Sequence, residues 1–185
     1  MNQRLPSVLF TLSFVGALAA QEPAPAMPNP KTPQHERLAA FVGAWRTETK
    51  IEAVPGVEGM EKAAEMVGVE HAELLCNGLW LKVQGEGTCQ GQACSGLWLL
   101  GYDPIAKSFQ CLAASNMDPA PCCLEGRFDE AKKVWHFVGD TPMGRLRSEL
   151  VFDGTDRSVE TCFVQGADGK EVRGMQIVRT RAQGV

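Results

Sequence analysis

The sequence lacks the short motifs that mark common catalytic and nucleotide-binding sites. It contains no G-x-x-x-x-G-K phosphate loop, no G-x-S-x-G nucleophile elbow and no C-x-x-C pair. Its three histidines, His35, His71 and His136, are too dispersed along the chain to predict a metal-binding triad. The sequence therefore predicts no catalytic residue and no metal site, and it leaves any cofactor unknown.

The chain also lacks a basic surface and a long apolar run outside its N-terminus. The 18 Lys and Arg residues are outnumbered by 22 Asp and Glu residues, and the charges are scattered. A mildly acidic chain of this kind has no cluster of basic residues that would bind nucleic acid or anionic lipid. After the N-terminus, no segment approaches the roughly 20 consecutive apolar residues that a membrane-spanning helix needs. We therefore expect no nucleic-acid partner and no transmembrane segment in the mature protein.

The N-terminal residues have the composition of a secretory signal peptide. Arg4 supplies a positive charge, an apolar stretch runs from Leu5 to Leu18, and Ala17-Leu18-Ala19 offers a small-x-small cleavage site. We expect residues 1–20 to be removed and the protein to be exported, either to the periplasm or out of the cell. Residues 21–33 hold five prolines and are typical of an extended linker. Residues 34–183 then form one domain.

Turns built around aspartate divide the second half of the chain into short apolar segments. Aspartate bonds its own backbone in turns, and glycine accepts a positive φ there. Strands that are joined by tight turns pair with their neighbours in sequence, so this pattern predicts an antiparallel meander. The four turns are Gly101–Pro104, Phe128–Ala131, Phe152–Thr155 and Gly166–Gly169.

The pattern favours one helix and about ten strands. Thr32-Pro33 is a typical helix start, and Leu38, Phe41 and Val42 would share one apolar stripe over two or three turns. An open sheet of so many strands would leave two exposed edges, whereas a barrel leaves none. We predict an all-β fold, an antiparallel up-and-down barrel with one short N-terminal helix, and a two-sheet sandwich is the alternative. The predicted strands are Arg46–Val54, His71–Cys76, Leu79–Gly87, Ser95–Tyr102, Lys107–Ser115, Pro121–Phe128, Lys133–Gly139, Arg145–Phe152, Ser158–Gln165 and Glu171–Thr180.

Seven cysteines in an exported chain predict disulfide bonds. Cys89 and Cys94 flank four residues that we expect to form a hairpin tip, with the two side chains opposite each other. Cys111 and Cys122 lie symmetrically about a predicted turn and form the second expected pair. Three cysteines are left without an assigned partner: Cys76, Cys123 and Cys162.

The interior of such a barrel is expected to be mainly apolar and to be either filled or hollow. In a hollow barrel, aromatic side chains would line a ligand pocket, and Trp80, Trp98 and His136 are our candidate wall residues. If the face of His136 points inward, its imidazole would be able to bind a haem iron or a polar ligand group. The alternative is a histidine that bonds to a neighbour or faces solvent.

A cluster of charged residues on neighbouring strands supports a different interpretation. Glu125 and Arg127 would suit acid–base chemistry if they faced the lumen. Cross-strand ion pairs on a solvated face explain the same residues more simply. This interpretation also covers three further charged residues: Arg147, Glu149 and Glu160.

Four parts of the chain carry motifs of a known family. They are Pro33–Leu38 with Phe41–Trp45, Asn77–Leu81, Leu99–Asp103 and Gly166–Lys170. They resemble a family of small bacterial proteins, the domain of unknown function 1579. A Gly-x-Trp after a short helix is also similar to the opening of lipocalin-like barrels. The resemblance covers about residues 33–181 and implies a lipocalin-like fold, but no established activity.

We therefore expect an exported β-barrel that holds a small apolar or amphipathic molecule in its interior. One alternative is a structural or interaction module of the cell envelope, tethered by the proline-rich linker. Another is a hydrolase or isomerase that uses a lumenal Glu125 and Arg127. The sequence does not identify the ligand, because a fold does not confer a function.

Overall fold

The computed structural model of the chain describes residues 30–57, 59–141, 144–166 and 168–182. The predicted signal peptide and the linker up to residue 29 lie outside these residues. A short helix, α1 (Pro33–Glu36), leads into a 3-10 helix at Arg37–Phe41, and a second 3-10 turn covers Cys76–Gly78. The strands are β1 (Gly43–Ile51), β2 (Ala64–Leu75), β3 (Trp80–Cys89), β4 (Gln92–Asp103), β5 (Ser108–Ser115), β6 (Cys122–Asp129), β7 (Val134–Thr141), β8 (Gly144–Asp153), β9 (Arg157–Gln165) and β10 (Glu171–Arg181).

The ten strands form one closed barrel in which each strand runs antiparallel to its neighbours in sequence. Strand β1 pairs with β10 and closes the sheet, with Trp45 opposite Arg181 and Ile51 opposite Met175. Closure gives every described strand a partner on both sides and so removes the exposed edges of an open sheet. The predicted up-and-down barrel is therefore confirmed, and the sandwich alternative is wrong.

Aspartate side chains hold three of the predicted turns, including the last, where Asp168 Oδ1 accepts a hydrogen bond from the amide of residue 170 at 3.0 Å. Asp103 Oδ1 accepts hydrogen bonds from the amides of Ile105 and Ala106, at 2.7 and 3.1 Å. Asp129 Oδ1 accepts equivalent bonds from the amides of residues 131 and 132, at 2.9 and 3.0 Å. These bonds stabilise short connections, so consecutive strands have to be neighbours in the barrel.

The N-terminal segment plugs one end of the barrel. The amide of Thr32 donates to Nδ1 of His35 at 3.0 Å and caps the start of α1. Leu38 and Phe41 are buried in the main apolar core, and Trp45 Nε1 donates to the Phe41 carbonyl oxygen at 2.7 Å. The helix starts where predicted, but its second part is a 3-10 helix. The connection between β1 and β2 packs a smaller apolar cluster of Val54, Val57 and Met60 against Ile51 and Val164.

Strand β9 turns its charged face inward. Alternation along Ser158–Gln165 puts Val159 and Phe163 on one face and Glu160 on the other; Val159 and Phe163 are half-buried, whereas Glu160 is buried. Glu160 is held inside by Arg179 of β10, at 2.9 Å. The Arg147 guanidinium covers the outer face of the Phe163 ring, 4.1 Å from its centroid. The interpretation of Glu160 as a solvated residue was therefore wrong, because its ion pair lies within the barrel.

Strand β2 is also longer than predicted. It begins at Ala64, well before the predicted start at His71. Its outward residues in this added part include Val67 and Val69, which are exposed, so the usual alternation of apolar and polar residues is reversed there. Pairing with β1 on one side and β3 on the other extends the strand.

Candidate functional site

The barrel interior contains an ion triad of Arg179, Glu70 and Glu160. Arg179 Nε donates to Glu70 Oε2 at 2.8 Å, and Arg179 Nη1 donates to Glu160 Oε2 at 2.9 Å. The three side chains are 5, 17 and 7 % exposed. Charges this deeply buried need partners, because an isolated ion loses its hydration without compensation. With both carboxylates ionised, the ion triad has one negative charge more than it has positive charges.

The ion triad still has an unused donor. Arg179 Nη2 is buried and has no hydrogen-bond partner among the described residues, and the hydroxyls of Ser148 and Ser158 share this property. Burial alone would lower the pKa of Arg179, but Glu70 and Glu160 raise that pKa above its ordinary value. Arg179 is therefore a permanently charged donor in a place where buried polar groups normally have partners.

A small interior cavity adjoins two of these unpartnered groups, Arg179 and Ser158. The ring of Trp98 forms part of its wall, with its centroid 5.2 Å from Cζ of Arg179. The volume of the cavity is about 10 Å³. This is room for about one water. The cavity is lined by Phe41, Trp45, Glu70, Ala72, Val83, Trp98, Phe152, Ser158 and Arg179.

Strand register brings the site together from distant parts of the chain. Arg179 pairs with Ser158 across β10 and β9, and with Thr47 across β10 and β1. Directly paired residues lie on the same face of a sheet, so all three point inward. Glu70 reaches the same interior from β2, where it pairs with Trp45. The site exists only because β1 and β10 close the barrel.

One of the three predicted wall residues lines the cavity. Trp98 does so, but Trp80 lies on the outer face with 41 % exposure, where its ring covers Gly101. His136 is also outward, and its Nδ1 lies 3.8 Å from the Glu149 carboxylate. Since the flanking Trp135 is buried, the alternation of the strand turns His136 away from the lumen. The idea of His136 as an interior ligand is therefore wrong.

The charged pair proposed for catalysis faces solvent. Arg127 Nη2 donates to Glu125 Oε1 at 2.9 Å, and both residues are exposed. The lumenal placement that this hypothesis required is absent, and the two residues form an ion pair on the solvated face, within β6 rather than across two strands as expected. A lumenal cluster of charged residues does exist, but it consists of Glu70, Glu160 and Arg179.

The predicted disulfides are not formed, since all seven cysteines are free thiols in the structure. The tip between Cys89 and Cys94 has two residues instead of four, so Cys89 lies opposite Gln92 and Cys94 opposite Gly87. Cys111 likewise lies opposite Leu124, one diagonal step from Cys122. Both pairs share a face, but neither consists of directly opposite residues as predicted.

The interior thiols are protected from ionisation. Burial, with Glu160 nearby, raises the pKa of the Cys111 thiol to about 12. Burial also raises the pKa of the Cys162 and Cys122 thiols. Because the thiolate is the reactive form, these cysteines are poor nucleophiles in the folded protein.

Sequence reasoning missed Arg179, Glu70 and Ser158. A signal for Arg179 was present, because it places a charge in β10 two residues after the apolar Ile177, on the same face of the strand. The β9–β10 register, once known, places Ile177 opposite Glu160 and Arg179 two residues further along, opposite Ser158. Two opposite charges then share an inward face on neighbouring strands. Glu70 carries no such local signal, because it approaches Arg179 only through closure.

The rest of the described chain offers few other sites. In residues 30–57, 59–141, 144–166 and 168–182, no three His, Cys, Asp or Glu side chains are grouped to hold a metal ion. No helix in these ranges is long and apolar enough to cross a membrane. A surface depression lies between Val54 and Val172, but its Arg173 is already bonded to Glu52 at 2.6 Å.

Comparison with known proteins places the chain in a family. The family described as "protein of unknown function (DUF1579)" matches residues 30–181. The chain belongs to this family. A solved structure with the same fold is an S-type phycobiliprotein lyase, CPES, from Guillardia theta, at 11 % identity and a TM-score of 0.58. The similarity covers 82 % of this chain and 94 % of the lyase chain, and at this identity it shows the fold alone. A search of curated proteins finds no significant match.

Proposed function

We propose that this member of the family is an exported barrel that binds one small, neutral, amphipathic molecule in its interior. A hydrogen-bond acceptor of the ligand lies at Arg179 Nη2 and Ser158 Oγ. The apolar part of the ligand packs against Trp98. The lipocalin-like fold supports this proposal because barrels of this size enclose single small ligands.

The observation that carries the proposal is the pair of unpartnered polar groups at one cavity. Arg179 and Ser158 both line it, and each has a buried polar atom without a partner in the described chain. Leaving such a group unpaired costs about 1–3 kcal/mol. A ligand oxygen that bonds to both groups recovers this free energy, so the interior favours an acceptor at this point.

The charge of the ion triad selects against an anion. Glu70 and Glu160 already offset the charge of Arg179, and a third carboxylate would be repelled by both. A carbonyl or hydroxyl oxygen accepts the same hydrogen bonds without adding a negative charge. The ligand class is therefore a neutral molecule with one polar end.

The size of the cavity determines where the rest of the ligand lies. Ligand pockets are usually about 300–1,000 Å³, whereas this cavity has room for about one water, so only the polar acceptor atom of the ligand fits in it. The inward row that starts at Glu70 continues through Gly85 and Gly96. The Glu70 side chain occupies the space at Gly85, where an added Cβ would lie 3.3 Å from Glu70 Cγ. At Gly96 an added Cβ would meet only atoms of the neighbouring strand β5, so the apolar part of the ligand extends past Gly96 on β4.

Native mass spectrometry tests the proposal. Mature protein is isolated from the compartment to which it is exported, and its mass is compared before and after denaturation. We expect a discrete small mass that is lost on denaturation and is depleted in Ser158→Ala. The matched control is Ser95→Ala, which changes an exposed serine and should keep the ligand. Bare wild-type polypeptide, with no thermal shift in a screen of neutral amphipathic compounds, would overturn the proposal.

Export is tested separately by cell fractionation. The mature N-terminus, read by mass spectrometry, should lie near residue 21. Leu12→Arg places a charge in the apolar stretch and should leave an unprocessed precursor inside the cell. Full-length protein with an intact N-terminus in the cytosol would contradict the expected signal peptide.

A further inference from the structure

Three sulfur-containing side chains meet at the β3–β4 hairpin end of the barrel. Cys94 Sγ lies 3.2 Å from Met66 Sδ. Met66 pairs directly with Cys89, so these two side chains are neighbours on one face of β2 and β3. The face is the inner one, because Met66 also pairs with the buried Thr49. We call Met66, Cys89 and Cys94 the sulfur cluster.

The hairpin turn creates the sulfur cluster. Gln90 and Gly91 have φ values of 50° and 81°, which is the backbone of a tight two-residue turn. The turn sets Cys94 opposite Gly87, one diagonal step from Cys89. Gly87 has no side chain, so nothing separates the Cys94 thiol from the Met66 thioether across β3.

We propose that the sulfur cluster is a binding site for one soft monovalent metal ion of the copper(I) class. Thiolate and thioether ligands together select copper(I) among biological metals. Zinc–sulfur bonds are about 2.3 Å long, and at a similar bond length two sulfurs that lie 3.2 Å apart reach a common ion. Zinc is disfavoured because the sulfur cluster includes a thioether, whereas zinc sites use Cys, His and carboxylate ligands.

The binding step changes no oxidation state. Copper(I) forms bonds to Sγ of Cys94 and Cys89, and each thiol releases its proton to solvent as the bond forms. The neutral thioether of Met66 adds a third bond without losing a proton. Cys94 and Met66 are half-buried, so an ion reaches them from this end of the barrel.

Competition with a chromogenic copper(I) chelator under anaerobic, reducing conditions tests the site. Wild-type mature protein should take one copper(I) ion from the chelator with high affinity. Cys94→Ser and Met66→Leu should each weaken this binding, Cys94→Ser by at least about a hundredfold. Even changes to groups that only orient a ligand cost about 10- to 100-fold in metal affinity.

Two matched variants separate this site from non-specific thiol binding. Cys123→Ser and Met117→Leu make the same chemical changes at exposed positions outside the sulfur cluster, and both should keep the wild-type affinity. Near-ultraviolet circular dichroism shows whether each variant keeps its packing. If Cys94→Ser and Met66→Leu fold and still bind copper(I) as wild type does, or if Cys123→Ser is the variant that loses the ion, the site is wrong.

Discussion

Arg179 is tolerated in the interior of the barrel because two carboxylates approach it from different strands. Glu70 comes from β2 and Glu160 from β9, and each accepts a hydrogen bond from the guanidinium. The Trp98 ring lies beside the same charge. Removal of the cation alone leaves two buried carboxylates without their partner, which is the most costly change that this site allows.

Arg179→Met should lower the free energy of unfolding by about 3–5 kcal/mol, because breaking a buried ion pair has a cost of this size. Adding Glu160→Gln to this variant should restore part of the loss. Urea unfolding followed by tryptophan fluorescence measures both. Arg145→Met, which breaks the exposed pair with Asp140, should change stability by less than about 1 kcal/mol. Equal effects of Arg145→Met and Arg179→Met would show that Arg179 is not buried with its partners.

The buried thiols make stability depend on alkaline pH. The folded pKa of Cys111 is about 12, whereas the thiol of an unfolded chain has a pKa of about 8.5. Below pH 8.5 both states keep the proton and stability is unaffected. Above it the unfolded chain releases the proton and the folded protein does not, so stability falls as pH rises from about 8.5 to 12.

Cys111→Ala should therefore reduce the loss of stability with pH by up to about 1.4 kcal/mol per pH unit in this range. The measurement is the free energy of unfolding by urea between pH 7.5 and 10.5. Cys76→Ala serves as the control, because the Cys76 thiol is already exposed in the folded protein. Parallel pH curves for wild type and Cys111→Ala would mean that the Cys111 thiol is reached by solvent.

Strands β2 and β3 approach each other closely where two glycines face each other. Gly68 pairs with Gly87 on the inner face. A Cβ atom at Gly87 would collide with the Val67 carbonyl oxygen and would lie 3.0 Å from the Gly68 Cα. Both of these atoms belong to backbone and cannot rotate away. The glycines therefore permit a close approach of the two strands that a side chain would obstruct.

Gly87→Ala should lower the free energy of unfolding by about 1–3 kcal/mol, the usual cost of overpacking. Gly96→Ala is the matched control, since it also changes an inward strand glycine, but its Cβ would meet the Ala114 carbonyl oxygen at 3.4 Å. It should be neutral or slightly stabilising, because alanine lowers the entropy of the unfolded chain. Thermal unfolding compares the two. A stable Gly87→Ala would mean that the strands separate easily at this point.

The whole molecule is a barrel whose interior changes character along its length. The plugged end is apolar and includes Leu38, Phe109 and Trp135. The ion triad and its cavity lie next to this core, and the sulfur cluster lies at the far end of β3. Trp45 of β1 bonds to Phe41 of the plug and pairs with Arg181 of β10. A loss of packing at the plug therefore affects the closing pair of strands as well.

Leu38→Ala should destabilise the protein by about 2–5 kcal/mol, because Leu38 is completely buried in the plug. Leu112→Ala removes the same atoms from an outward residue that is 42 % exposed, and should cost less than about 1 kcal/mol. Chemical denaturation of both variants measures the difference. If Leu38→Ala is as stable as Leu112→Ala, the N-terminal segment does not plug the barrel.

The sequence by itself determined the strand number, the aspartate turns and the pairing of each strand with its neighbours. These features rest on local chemistry, such as the aspartate that bonds the amides of its own turn at Asp103 and Asp129. The helix start at Thr32-Pro33 is local in the same sense. Short turns pair each strand with its neighbours in sequence, and a sheet of so many strands avoids exposed edges by closing into a barrel. The fold was therefore predictable.

Only the tertiary structure decided what lies inside the barrel. Alternation divides a strand into two faces but does not say which face is inner, as β9 shows with its buried Glu160. The two-residue hairpin tip, one pairing step shorter than expected, moved Cys94 away from Cys89 and towards Met66. Glu70 and Arg179 are 109 positions apart in sequence and meet only because β1 pairs with both β2 and β10. Long-range register of this kind depends on the closed sheet as a whole, and no local pattern encodes it.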